Sequence, residues 1–187
     1  PKTINEYLGE GIKDIVKKRF FETDNYPNII LLHGTHGCGK TSCARLLALE
    51  YLCQSKVDGH ACGECEICQE LLTKLINAEA GVENDTSVRE IDIAAEGSKG
   101  NIDNIIMDAT EEPVYFKYKI LIMDEFHMAN KAVQNRLLKV MEEPPKHLVF
   151  ICCTTDPEAI IDTIHSRCQL KIEVKKAKIN DLANRIR

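Results

Sequence analysis

The run Asn28-Ile-Ile-Leu-Leu-His33-Gly34-Thr-His-Gly-Cys-Gly39-Lys40-Thr41-Ser42 decides how the rest of the chain is read. Its first part is a short, continuous apolar stretch of the kind a strand shows when both faces are buried. Gly34 to Thr41 then fills every fixed position of G-x-x-x-x-G-K-[ST]. From Thr41 to Leu52 the apolar residues Ala44, Leu47, Ala48 and Tyr51 return at helical spacing. The order is therefore strand, glycine loop, helix. That order has a chemical use: glycines let backbone N–H groups turn inward around phosphate oxygens, and the helix N-terminus adds partial positive charge. Lys40 is placed to reach the β- and γ-phosphates of a nucleotide, and the Thr41 hydroxyl to ligate Mg²⁺. Gly34, Thr35, His36, Gly37, Cys38, Gly39, Lys40, Thr41 and Ser42 form the expected phosphate cradle, with Cys38 a small filler in an unconstrained loop position.

Outward from this run the alternation continues. Upstream, Ile4, Leu8, Ile12, Ile15, Val16 and Phe20 predict a largely helical N-terminal segment. Downstream the pattern predicts a strand near Val88–Ile93, a helix near Ile102–Thr110, a strand at Lys119–Met123 and a helix near Lys131–Glu142, ended by Pro144-Pro145. A strand at Leu148–Thr154 follows, then a short helix from Pro157 through Ile164, and a half-buried strand at Leu170–Val174. Strands alternating with helices imply an α/β fold with a parallel sheet and helices on both faces. In Ile120-Leu-Ile-Met-Asp124-Glu125 a buried strand ends in two carboxylates at its C-terminal edge, where open α/β sheets bind ligands. Asp124 is expected to hold Mg²⁺ through its water shell, and Glu125 to orient and polarise an attacking water.

The chain carries 24 Lys+Arg against 29 Asp+Glu, a formal charge of −5, which excludes a generally basic nucleic-acid coat but leaves room for a local patch. Lys13, Lys17, Lys18 and Arg19 cluster, as do Lys171, Lys175, Lys176 and Lys178, but a solvated face is the simpler reading of each. Apolar runs such as Leu148 to Cys153 fall far short of the ~18 residues a bilayer span needs, so a soluble, non-secreted protein is expected. The nine cysteines cannot all pair. Four of them, Cys53, Cys62, Cys65 and Cys68, fall within sixteen residues with Gly59 and Gly63 between, a spacing suited to a closed structural Zn²⁺ site. Buried thiols or two disulfides are the alternatives, and His60 is near enough to replace a thiol. Cys43, Cys152 and Cys153 read as core filler, and Ala78 to Ser87 as a solvated loop.

Taken together, the phosphate loop, the four-cysteine insert after it, Asp124-Glu125, Glu142-Glu143-Pro144-Pro145, Thr154-Thr155-Asp156-Pro157 and Ser166-Arg167-Cys168 resemble, in order and spacing, the bacterial DNA polymerase III gamma/tau family. The resemblance covers essentially the whole chain. It implies an AAA+ P-loop NTPase domain over 1–174 with a zinc insert at 53–68, and the start of a helical lid at 175–187. It further implies an ATP-binding and ATP-hydrolysing clamp-loader motor with ATP/ADP, Mg²⁺ and Zn²⁺ as ligands. Its partners would be the other subunits of a hetero-pentameric ring, the sliding clamp and primed DNA, in a bacterial cytoplasm. By the same resemblance Lys40 and Thr41 take the Walker A positions, and Asp124 and Glu125 those of Walker B. Thr155 takes the sensor 1 position at the γ-phosphate, and Arg167 the arginine finger that reaches a neighbouring subunit's site. Cys168 otherwise reads as a packing thiol.

Ile4, Glu10, Ile93 and Phe126 depart from the family pattern and imply a divergent member. The Tyr-Arg pair expected before Pro1, and the lid's sensor 2 arginine expected after Arg187, lie outside the sequence. The competing reading is an ATPase-inactive scaffold subunit that uses the zinc insert for assembly; the filled positions at Lys40, Thr41, Asp124 and Glu125 favour the motor. A zinc-containing nucleoside monophosphate kinase would need its cysteines much later in the chain.

Overall fold

In a computed structural model the described residues are 12–21, 26–76, 87–96 and 102–176. Five strands form one sheet: β1 (Ile29–His33), β2 (Val88–Asp92), β3 (Lys119–Asp124), β4 (Leu148–Thr154) and β5 (Leu170–Glu173). They lie in the order β2-β3-β4-β1-β5, and every neighbouring pair is parallel. The helices are α1 (Ile12–Phe21), α2 (Lys40–Leu52), α3 (Glu66–Ile76), α4 (Ile93–Glu96), α5 (Ile102–Thr110), α6 (Lys131–Glu142) and α7 (Asp162–Arg167). Short 3₁₀ turns occupy Phe126–Met128 and Pro157–Ala159.

Strand alternation splits the core into two layers. Ile30 and Leu32 of β1, with Ile151 and Cys153 of β4, face the layer holding Cys43, Ala44 and Leu47 of α2 and Leu71 and Leu72 of α3. Ile29 and Leu31, with Phe150 and Cys152, face the layer holding Ile105 of α5, Val133 and Leu137 of α6 and Ile164 of α7. The connection leaving β1 thus runs over one face, and the one leaving its neighbour β4 over the other. A crevice opens where neighbouring connections part, outside the carboxyl ends of those strands. The register His33↔Thr154 and Met123↔Cys152 brings the ends of β1, β4 and β3 to that same edge.

The sequence-based elements correspond closely, with four differences. Pro157 to Ile164 is not one helix: Gln134, buried in α6, donates to the carbonyls of Ala129 and Ala159 and accepts from the Ile161 N–H, which breaks the segment into a 3₁₀ turn and α7. Ile93 opens α4 instead of closing β2, because the Asp92 carboxylate accepts from the Ala94 N–H and starts a turn. The periodicity beyond Cys68 builds α3. The last strand ends at Glu173. The expectations for 1–11 lie outside the described residues, as do 177–187 of the lid expected at 175–187 and 78–86 of the loop expected over 78–87; Ser87 is buried. Among the described residues no helix is long and apolar enough to cross a membrane.

Candidate functional site: a phosphate loop, an acidic strand end and a thiolate cluster

The loop leaving β1 is shaped by glycines, one hemmed in by its neighbours and two in left-handed backbone conformations. Gly34 has φ 154°, and a Cβ there would lie 2.3 Å from the Val174 carbonyl oxygen, while Gly37 and Gly39 have φ 71° and 96°. Gly39 precedes α2 without a side chain to cap it, and the first turn of α2 carries no acidic residue. The positive end of the helix is therefore left for an external anion. Lys40 is 5% exposed, its ammonium held by the carbonyls of Gly34 at 3.1 Å and Thr35 at 3.2 Å. Those contacts fold the side chain back along the loop, where phosphate oxygens would replace carbonyls as partners. Gly34→Ala should cost ~2 kcal/mol or more through overpacking against Val174, measurable as a shift of the denaturation midpoint at unchanged slope.

Across β4 from this loop stands the acidic strand end. The Thr41 hydroxyl donates to Asp124 Oδ2 at 2.6 Å, so the proposed Mg²⁺ ligand and the carboxylate meant for the ion's water shell face one another directly. Asp124 Oδ1 accepts from the Glu125 N–H at 3.0 Å. Glu125 has φ 48°, a left-handed backbone that costs a non-glycine residue ~1–2 kcal/mol. The turn that holds it is closed by Met128 N–H to Glu125 C=O and anchored by the fully buried Phe126. Thr155 follows the end of β4 and is half-buried. Lys40, Thr41, Asp124, Glu125 and Thr155 therefore share the carboxyl edge of the sheet.

Arg167 is engaged elsewhere, donating to the Thr163 carbonyl and pairing with Glu142 Oε1 at 2.9 Å each. Sequence reasoning missed two residues here, Thr154 and His127, whose side chains meet at 3.3 Å. The only signal was position, one at a strand end and the other two residues beyond Glu125. The core thiols behave as expected. Burial pushes Cys43 up to about 12 and Cys152 and Cys153 well above the usual thiol range, and Cys168 Sγ donates to the Ile164 carbonyl.

The second cluster begins where α2 ends. Cys53 caps that helix, a tight turn over Val57–His60 follows, and Cys62, Cys65 and Cys68 lead into α3. All four thiol sulfurs lie within 4.8 Å of one another. Cys53 Sγ is 3.7 Å from Cys62 Sγ, which is 4.0 Å from Cys68 Sγ. A tetrahedral Zn²⁺ with ~2.3 Å bonds sets sulfurs ~3.8 Å apart, so the donor set fits the ion. All nine cysteines are free, so the two-disulfide alternative is not what the chain adopts. His60 does not take a thiol's place: Nδ1 is 3.6 Å from Glu50 Oε1. Glu50 is wholly buried, which raises its carboxyl to about 7, and its other oxygen accepts from the Ala61 N–H, pinning the backbone beside Cys62. The N–H groups of Glu64 and Cys65 point at Cys62 Sγ and pull that thiol down to about 6, readying a thiolate for a cation.

Comparison with known proteins agrees with this geometry. A family model described as "DNA polymerase III, delta subunit" matches residues 12–178. The chain belongs to that family. Among curated relatives, the DNA polymerase III subunit gamma/tau of Mycobacterium tuberculosis is 41% identical over 137 residues, covering 73% of this chain and 22% of the relative. The gamma subunit of Buchnera aphidicola subsp. Schizaphis graminum is 36% identical over 170 residues, 90% of this chain and 44% of its own length. The tau subunit of Escherichia coli is 34% identical over 156 residues, covering 83% and 23%. The chain thus spans less than half the length of these relatives. Among solved structures, the Thermotoga maritima RuvB Holliday junction branch migration motor matches with TM-score 0.63 at 18% identity, over 98% of this chain and 51% of that one. That likeness shows a shared fold.

Proposed function

We propose that this family member is the nucleotide-binding part of a clamp-loader ATPase, which loads a sliding clamp onto primed DNA within a hetero-pentameric ring. The observation that carries the reading is the 2.6 Å contact of Thr41 with Asp124, which joins the phosphate loop to the acidic strand end across β4. A scaffold that had lost hydrolysis would have no need of that juxtaposition. The similarity to gamma and tau subunits supports the same assembly.

In this reading the loop amides and Lys40 bind the β- and γ-phosphates of ATP, and Thr41 and Asp124 hold Mg²⁺, which would neutralise charge developing on the phosphates. Glu125 orients the attacking water and accepts its proton. Thr155 contacts the γ-phosphate from the adjacent strand end, and Arg167 completes the site of a neighbouring subunit. Binding of ATP closes the ring on the clamp, and hydrolysis after DNA entry releases it. The thiolate cluster, holding Zn²⁺, stiffens the segment between α2 and α3 and takes no part in hydrolysis.

Glu125→Gln keeps the shape of the side chain and removes its basicity. In the full-length protein reconstituted with its partner subunits it should cut hydrolysis by ~10²-fold or more and leave ATP affinity within about twofold. Unchanged turnover of the assembled complex would mean that other subunits supply the hydrolysis, which favours the scaffold reading.

A further inference from the structure

Glu125 is not alone at the strand end. Its Oε2 lies 3.3 Å from His127 Nδ1, and the same nitrogen lies 3.3 Å from Thr154 Oγ1. The Thr154 hydroxyl donates its one proton to the Asp156 carbonyl at 3.0 Å and accepts from the Asp156 N–H at 3.1 Å. What it can still offer His127 is a lone pair. The imidazole nitrogen therefore faces two acceptors, a hydroxyl oxygen whose proton is committed and a carboxylate, and only a protonated Nδ1 satisfies either. Hydrogen-bond accounting thus fixes Nδ1 as a donor shared between Thr154 and Glu125, a three-centre arrangement consistent with two equal, slightly long separations.

The surroundings make this contact directional. His127 rides on the 3₁₀ turn Phe126–Met128, whose Phe126 ring is fully buried, so the imidazole cannot drift far. Thr154 is itself fully buried as the last residue of β4 and is followed at once by Thr155. Glu125 holds a left-handed backbone, and its side chain is 30% exposed, free to reach a water.

We propose that His127 is a positioning residue that ties the Glu125 carboxylate to the carboxyl end of β4, so that the segment meeting the γ-phosphate also sets the base that meets the water. The inference rests on the reading of Glu125 as the water-orienting group. In this role His127 acts through Glu125.

The test uses the full-length protein assembled with its partner subunits, clamp and primed DNA. His127→Leu, which removes the donor, should lower kcat by about tenfold and leave ATP affinity and KM within about twofold. His127→Asn carries an N–H near the Nδ1 position and should recover to within about threefold of wild type. His127→Gln carries its N–H near the Nε2 position and should stay about tenfold down. An unchanged kcat in His127→Leu, or equal kcat in the Asn and Gln variants, would overturn the proposal, as would a loss seen wholly in ATP affinity. Should His127→Leu fail to fold, the Asn–Gln comparison decides alone, since a role in packing alone does not distinguish where the N–H sits. Glu125→Gln in the same assay separates the two levels. If it leaves hydrolysis intact, the reading of Glu125 fails; if it abolishes hydrolysis while His127→Leu leaves kcat unchanged, only the positioning role falls.

Discussion

Arg167→Ala in the full-length subunit is expected to lower hydrolysis by the assembled complex by ~10³-fold or more, with ATP binding to the mutant subunit's own site unchanged. The structure gives this expectation a physical basis. Arg167 ends α7, and its guanidinium donates to Thr163 and Glu142 through two of its five N–H groups, leaving the others available. The ion pair with Glu142 is solvent-exposed, with side chains 32% and 50% accessible, and pairs of that kind are worth ~0–1 kcal/mol. A rate effect of 10³–10⁵ corresponds to ~4–7 kcal/mol of transition-state stabilisation, so loss of the Glu142 pair would offset little of it. Mixed complexes provide the check. With one Arg167→Ala subunit beside wild-type ones, the site that falls silent should belong to the adjoining subunit. Loss confined to the mutant's own site would contradict action in trans.

Removal of zinc should have the largest effect on stability. Apparent binding energies of structural Zn²⁺ run to ~10–16 kcal/mol, comparable with or larger than the ~5–15 kcal/mol that holds a whole domain together. The cluster joins the end of α2 to the start of α3 across a segment whose only regular pairing is the Val57–His60 bridge. Without the ion the segment keeps the Glu50–Ala61 hydrogen bond and the core packing of Cys53 and Cys68, but loses the bonds that would join all four thiols. One zinc per chain is expected by elemental analysis, together with a melting temperature lowered by ~10 °C or more after chelation. Cys68→Ser should reproduce the loss, whereas Cys152→Ser, on the buried face of β4, should leave zinc content unchanged. Acid should release the ion as protons compete for the thiolates. A folded, zinc-free protein with all four thiols titrating freely would refute the assignment.

What was legible in the sequence follows from how local each signal is. Gly34 to Thr41 needs only its own residues to be read, because the loop's shape comes from glycine backbones and its chemistry from Lys40 and Thr41. Asp124 could be placed because a continuous apolar strand ends at it. The cysteines could be grouped by spacing alone. Strand order could not be read, since nothing in Val88–Asp92 says that it lies at the sheet edge beyond β3. The break at Ile161 depends on Gln134, a helical residue 27 positions earlier, whose amide satisfies backbone groups on both sides of it. The link from His127 to Thr154 likewise exists only because β3 and β4 are paired in one register. Candidate residues on continuous segments are legible in the sequence, and the contacts made across strands are not.

We propose that nucleotide bound by Lys40 and Thr41 drives clamp loading. The most direct test is reconstitution of the full-length protein with its partner subunits, sliding clamp and primed DNA, comparing wild type with Lys40→Ala for ATP-dependent transfer of the clamp onto DNA. Lys40→Ala is expected still to assemble but to bind ATP weakly and to load no clamp above background. Loading at the wild-type rate by a ring in which every such subunit carries Lys40→Ala would contradict it.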